Sequence, residues 1–294
     1  MDQSRGVVYI AFGAAYRNEA RAALDSLLRN SPGLSTAVIT EEPWKGTPQP
    51  GVFVQRPPET SLRCKPLYLF EASPFDHTLF LDTDTFVARP LQLVFGLLGH
   101  YDLGVCFEGP RLDWPPGLEY HSQANTGVIL FKRNDAVREM FQAWLEEYDR
   151  TLLRAAKPVL SGSGVNDQRS FCVALAKSHV RSVHLPEFMN FVLWHVSKTY
   201  NRPVVYHGRL RHVEVLNDEI SRGWEDDVED VRVRPWLPHI EGILPGAGVG
   251  RRDPLLRLAM TFRRWWNGMA RAWRHRKLRG RSTFATEIAA EDSK

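Results

Sequence analysis

The stretch Phe80-Leu81-Asp82-Thr83-Asp84-Thr85-Phe86-Val87 decides how the rest of the chain is read. It closes an apolar run, Thr78 to Leu81, that reads as a buried strand, and it places two carboxylates at i and i+2 directly after it. In an extended or turning segment such residues project to one side. Hard carboxylate oxygens at the carboxyl end of a strand suit Mg²⁺ or Mn²⁺ and leave coordination positions open for phosphate. An Asp-rich turn that merely ends a strand has the same local pattern, so the flanking sequence must decide.

Upstream, Val7 to Phe12 is a β-rich run, and Asn18 to Leu28 carries apolar residues at Ala20, Ala23, Leu24, Leu27 and Leu28, a helical spacing. Thr36 to Thr40 predicts a second strand, Pro43 to Gly51 a loop, and Val52 to Gln55 a third strand. This alternation implies a parallel α/β sheet, whose ligands sit at the carboxyl ends of the strands. On that rule Ala11, Phe12 and Gly13 should lie beside a ligand. Leu62 to Ala72 predicts a helix despite Pro66 and presents Arg63 and Lys65 ahead of the two aspartates.

Downstream, Leu91 to Leu98 predicts a short helix and Tyr101 to Phe107 a strand. In Gln123-Ala124-Asn125-Thr126-Gly127-Val128-Ile129-Leu130-Phe131, small and polar residues lead straight into an apolar strand. From there Asn125 could offer its amide to hydroxyls, and Gly127 lets the chain pass close to a ligand. Val137 to Tyr148 is an amphipathic helix whose Met140, Phe141, Trp144 and Leu145 belong to the core. After the flexible loop Ser161-Gly162-Ser163-Gly164, Asn166-Asp167-Gln168 opens a helix over Arg169 to Ala176, where Asp167 has the position of a cap. Pro203-Val204-Val205-Tyr206-His207-Gly208-Arg209 is a short apolar strand ending in His and Gly.

Taken together these motifs carry a resemblance. An Asp-x-Asp in this setting resembles the metal-binding motif of nucleotide-sugar glycosyltransferases of the GT-A fold, and Phe80 to Val87 is similar in wording to glycosyltransferase family 8 and its bacterial relatives. The resemblance covers about residues 7 to 215. It implies a mixed, mainly parallel GT-A (Rossmann-like) sheet flanked by helices, with Asp82 and Asp84 bridging through Mn²⁺ or Mg²⁺ to the donor diphosphate and Thr83 between them in the donor site. Ala11, Phe12 and Gly13 then lie near the nucleotide. Lys65, 17 residues before Asp82, matches a basic residue that contacts the donor. Asn125 matches an Asn that faces the sugar, with Gly127 beside it; Asp167 and Gln168 match a pair next to the reacting sugar carbon, Asp167 binding the sugar or acting as base and Gln168 orienting the donor. His207 is the counterpart of a third metal ligand, although the family's following Lys-Pro-Trp is missing here, and His212 is the alternative ligand. The haloacid dehalogenase phosphatases share the apolar strand and Asp-x-Asp. In that reading Asp82 is a nucleophile and Asp84 an acid/base. That family has Thr or Val where this chain has Phe86, and its motif comes near the first strand.

At 294 residues and 43% hydrophobic content the chain can bury one large core with appendages. Its three cysteines, Cys64, Cys106 and Cys172, have no Cys-x-x-Cys spacing and predict neither a disulfide framework nor a zinc site. The apolar segment Val7 to Ala15 is too short for a membrane span, and nothing in it predicts export. The net charge of +4 conceals an asymmetry: residues 251–294 hold 12 Lys+Arg and 4 Asp+Glu, leaving a mildly acidic body. From Pro254, Leu255, Leu258, Phe262, Trp265, Trp266, Met269 and Trp273 share one narrow helical face opposite Arg257, Arg264 and Arg271. A basic amphipathic helix with tryptophans suits an anionic membrane surface, or else the acidic body of the chain itself. Aromatic and basic residues are segregated rather than interleaved, which argues against nucleic acid.

The expectation is therefore a catalytic domain over residues 1–250 and a membrane-associating tail over 251–294. The enzyme would move a sugar from a nucleotide-diphosphate donor, a UDP-sugar for preference, to a glycan or lipid-linked acceptor, from a cytoplasmic position at the inner face of the membrane. A non-catalytic membrane-bound scaffold of the same fold is the third reading.

Overall fold

The backbone alternation of the first strand requires both of its faces to be covered, and they are: Val7 and Tyr9 enter one apolar cluster while Val8 enters another on the opposite face. The computed structural model describes residues 4–44, 51–53, 63–110, 118, 122–154, 167–192, 198–199, 202–209, 217 and 231–232. The tail from residue 251, the loop 161–164 and His212 lie outside these residues. In chain order the elements are β1 (Arg5–Ile10), α1 (Ala14–Asn30), β2 (Ser35–Thr40), β3 (Gly51–Phe53), α2 (Cys64–Ala72), β4 (His77–Leu81), β5 (Thr85–Val87), a 3₁₀ helix (Gln92–Gly99), β6 (Leu103–Pro110), β7 (Ser122–Lys132), α3 (Asp135–Arg154), α4 (Asp167–Lys177), β8 (Ser182–His184), a 3₁₀ turn (Glu187–Met189), β9 (Phe191–Val192), β10 (Lys198–Thr199), β11 (Val205–His207) and β12 (Val231–Arg232).

The main sheet has the order β3-β2-β1-β4-β7-β6-β8. Pairs β3/β2, β2/β1, β1/β4 and β6/β8 are parallel, whereas β7 runs antiparallel to both β4 and β6. This is the mixed, mainly parallel sheet flanked by helices that the sequence implied. One face is covered by Leu24 and Leu27 of α1, packed with Leu79, Leu81, Val128 and Leu130. The other is covered by Met140, Phe141 and Trp144 of α3 and Phe171 of α4, packed with Phe80, Ile129 and Phe131. A second sheet, β5-β11-β9, begins directly after Asp84 and returns the chain to the aspartates. Strands β10 and β12 form a separate antiparallel pair.

Pro66 is accommodated because it lies in the first turn of α2, where its missing N–H has no intrahelical partner to lose. The helix expected over Leu91 to Leu98 is instead a 3₁₀ helix; Gly96 and Gly99 weaken α-helical propensity in so short a segment. All three cysteines are buried and none is in a disulfide. Among the described residues, no helix is long and apolar enough to cross a membrane.

Candidate functional site

The strand directions bring five chain segments to one edge of the sheet. β1 and β4 end there side by side, and β7, being antiparallel, begins there, so Asn125, Thr126 and Gly127 stand next to the end of β4. Against β6, β7 shifts register between the pairs Val105↔Ile129 and Cys106↔Asn125, so residues 126–128 bulge out of that ladder. β11 then pairs with β5, setting His207 opposite Thr85, and the Gly208 N–H donates to Asp84 O at 2.8 Å.

Asp82, Asp84 and His207 each offer a ligand atom within 4.8 Å of the others. His207 Nε2 lies 3.4 Å from Asp84 Oδ1 and 3.6 Å from Asp82 Oδ2. Two carboxylates and one imidazole nitrogen are a donor set that a divalent cation of the Mn²⁺ or Mg²⁺ type accepts. The ring is fixed on two sides. Its Nδ1 lies 2.9 Å from Asn190 Oδ1. Its edge rests on Gly127, where an added Cβ would stand 2.1 Å from Cε1. The group that lies against Gly127 is thus His207, where a ligand was expected.

Lys65 is the centre of a second set of contacts. Its Nζ lies 3.0 Å from both Asp82 oxygens, 3.4 Å from Asp167 Oδ2 and 3.2 Å from the Thr126 carbonyl, and the residue is 8% exposed. Burial alone would lower the ammonium pKa, but Asp167 and Asp82 more than offset it and hold the group charged. Asp167, at the start of α4, also accepts from the Thr126 hydroxyl at 3.0 Å. Its carboxylate therefore makes contacts with α2 and β7. Its main-chain carbonyl accepts from Trp144 Nε1 at 3.1 Å, which ties α3 to the site.

The two aspartates differ electrostatically. Burial raises the Asp82 carboxyl above the ordinary carboxylate range despite Lys65 and His207, with Asp84 and Asp167 adding to the rise. Burial pushes Asp84 the same way, but the hydrogen bond and charge of His207, helped by Arg209 and Lys65, bring it below that range.

The other expected residues are distributed around this centre. Ala11 is fully buried and donates its N–H to Ile39 O; Phe12 packs on Tyr68 with ring centroids 5.6 Å apart. Gly13, at φ 88°, donates its N–H to Glu41 Oε1 at 2.8 Å, and Glu41 in turn is held by Arg17. Glu41 thus occupies the amide at the start of α1. Burial would raise the Glu41 carboxyl, but hydrogen bonds, including those from Gly13 and Arg17, bring it below its usual value. Thr83 donates to Glu19 Oε2 at 3.0 Å. Asn125 is fully buried, its Nδ2 donating to Glu108 Oε1 at 2.6 Å and its Oδ1 accepting from the Gly127 N–H at 2.9 Å. Gln168 Oε1 accepts from Gln123 Nε2, and the pair stands beside Asp167 on α4.

Four residues of the site were not singled out in the sequence. Thr126 sits inside a quoted motif, between two residues that were. Arg209 follows His207 closely; its guanidinium donates to Glu19 at 2.6 Å and lies 3.9 Å from Asp84 Oδ2. Glu19, half-buried on α1, and Asn190, in a short connector, carry no local signal at all.

No family model matches this sequence, and no curated protein matches it. Among solved structures the chain is similar to a galactosyltransferase, LgtC, in complex with donor and acceptor sugar analogs (16% identity, 70% of this chain and 87% of that one, TM-score 0.48). It is also similar to mouse xyloside xylosyltransferase 1 in its apo form (13%, 70% and 98%, TM-score 0.48). The glycosyltransferase GlyE of Streptococcus pneumoniae TIGR4 gives 16% identity over 77% of this chain and 64% of that one, with a TM-score of 0.47. At these identities and scores the similarity assigns no residue a role.

Proposed function

We propose that this chain is a metal-dependent glycosyltransferase that takes a sugar from a nucleotide-diphosphate donor, a UDP-sugar for preference, and gives it to a glycan or lipid-linked acceptor. The observation that carries this reading is the convergence of His207 with Asp82 and Asp84, far from it in sequence, within 4.8 Å at the carboxyl edge of the sheet. A divalent ion held by these three groups would offset the negative charge that develops on a leaving diphosphate. Arg209, exposed and 3.9 Å from Asp84, is the cation we assign to the diphosphate itself. Lys65 keeps Asp82 and Asp167 in place from below, so its part is to position the carboxylates. Asp167 and Gln168, at the start of α4, are assigned to the sugar.

The tail over residues 251–294 enters the proposal through its sequence. Eleven basic residues and one acidic residue between 251 and 281, with three tryptophans on the apolar stripe, suit recruitment to the anionic inner face of a membrane, where a lipid-linked acceptor would be met.

The test is a panel of nucleotide sugars incubated with the full chain, with and without Mn²⁺ or Mg²⁺. Metal-dependent hydrolysis of one donor supports the proposal and identifies the sugar. Phosphate release from simple phosphoesters, with no nucleotide sugar consumed, would favour the dehalogenase reading. Membrane binding without turnover of either kind would favour the scaffold.

A further inference from the structure

Asn190 is buried, 5% exposed, and ends the 3₁₀ turn Glu187–Met189 just before β9. Among the described residues only one end of its amide is used: Oδ1 faces His207 Nδ1 at 2.9 Å, whereas Nδ2 is buried with no hydrogen-bond partner there. An orphaned buried donor destabilises the folded chain, so an amide is a poor choice at this position for packing alone. What it does for His207 follows from the ring's other side. Nε2 faces two carboxylates, at 3.4 and 3.6 Å, and these would draw the proton of a neutral imidazole onto Nε2. A ring in that state has no lone pair to give a cation between the aspartates. An acceptor at Nδ1 opposes this by holding the proton on the far nitrogen.

We infer that Asn190 is the positioning residue that keeps His207 in the Nδ1–H tautomer, with its Nε2 lone pair directed at the Asp82–Asp84 cluster. This rests on the reading of His207 as a metal ligand. Asn190 touches neither ion nor substrate and acts only through the imidazole. Gly127 completes the arrangement, because it removes the side chain that would otherwise displace the ring.

The test compares wild type with Asn190→Leu, which keeps the branched heavy-atom skeleton and removes the acceptor, and with Asn190→Asp, which restores it. The first measurement needs no metal: ¹⁵N shifts of the histidine rings, at a pH where they are neutral, with His207→Ala to assign the signal. Wild type should show His207 protonated on Nδ1, and Asn190→Leu should move the proton to Nε2. A wild-type ring protonated on Nε2, or an Asn190→Leu ring identical to wild type, overturns the inference. The second measurement is Mn²⁺ affinity from the free-ion EPR signal. Asn190→Leu should lose on the order of 10- to 100-fold, Asn190→Asp should recover it, and the metal-free melting temperature of Asn190→Leu should not fall. Equal affinity in wild type and Asn190→Leu overturns the inference while the metal reading stands. Failure of wild type itself to bind Mn²⁺ overturns the metal reading, and the positioning role with it.

Discussion

The imidazole of His207 occupies the space that any side chain on residue 127 would need: a Cβ there would lie 2.1 Å from Cε1, 2.6 Å from Nδ1 and 2.8 Å from Nε2. Two segments eighty residues apart in sequence are thus fitted to each other at the edge of the sheet, one by having no side chain and the other by filling the gap. Gly127→Ala should push the ring away from Asp82 and Asp84 and lower Mn²⁺ affinity by about 10-fold or more. In a double-mutant cycle with His207→Ala, the two losses should not add, since both remove the same ligand. Additive losses would place the effect of residue 127 elsewhere.

Asp82→Asn and Asp84→Asn each remove an anionic donor while keeping size. Mn²⁺-dependent nucleotide binding, followed by calorimetry, should collapse in both. Without metal, the melting temperature of Asp82→Asn should stay level or rise, since burial already disfavours its ionised form, whereas that of Asp84→Asn should not rise, since His207 and Arg209 favour the ionised Asp84. Nucleotide affinity unchanged in either variant would remove the metal bridge from the mechanism.

Lys65→Met should be the costly substitution in this region. It leaves Asp82 and Asp167 without their shared cation in a buried setting, and breaking such a pair costs about 3–5 kcal/mol. The stranded carboxylates can escape the penalty by taking up protons, so the stability gap to wild type, measured by denaturant melts, should be smaller at pH 5 than at pH 8. A gap independent of pH would show that Lys65 serves packing alone.

Asp102 provides a pH test away from the site. Hydrogen bonds from Arg181, reinforced by Lys132 at 2.9 Å, hold its carboxyl well below the usual carboxylate range although burial opposes them. Because the folded value lies below the unfolded one, its contribution is complete above the unfolded pKa of about 3.9 and disappears as pH falls through the folded value. Asp102→Asn should cost about 1–3 kcal/mol at neutral pH. Its denaturation curve should approach that of wild type as the solution is acidified below about pH 4.

Deleting residues 251 to 281 should release the protein from anionic liposomes while leaving turnover of a soluble acceptor largely intact. Raising salt should weaken liposome binding only partly, because the tryptophan contribution is not screened. Equal binding to neutral and anionic vesicles, or failure of the remaining chain to fold, would show that the stripe packs on the protein.

The sequence by itself determined the elements whose side chains carry a periodic signal. Val7 and Tyr9 alternating with Val8, and the 3–4 residue spacing of Leu24 and Leu27 or of Met140 and Trp144, predict strand and helix because burial imposes the period of the local backbone. The aspartates were legible for the same local reason: Asp82 and Asp84 are two residues apart at the end of an apolar strand, so one short stretch contains both the scaffold and two ligands. Tertiary structure decided what depends on separations the chain does not encode locally. The antiparallel course of β7 sets Gly127 beside Asp82; the pairing of β11 with β5 delivers His207. Asn190 stands behind that ring at 2.9 Å, and Lys65 reaches from α2 to Asp82 and Asp167 together. Asn190 had no pattern to announce it, because its contact with His207 is across space to a side chain 17 positions away. Gly127 was recognisable as a place of close approach, but only the folded chain made His207 the group that approaches.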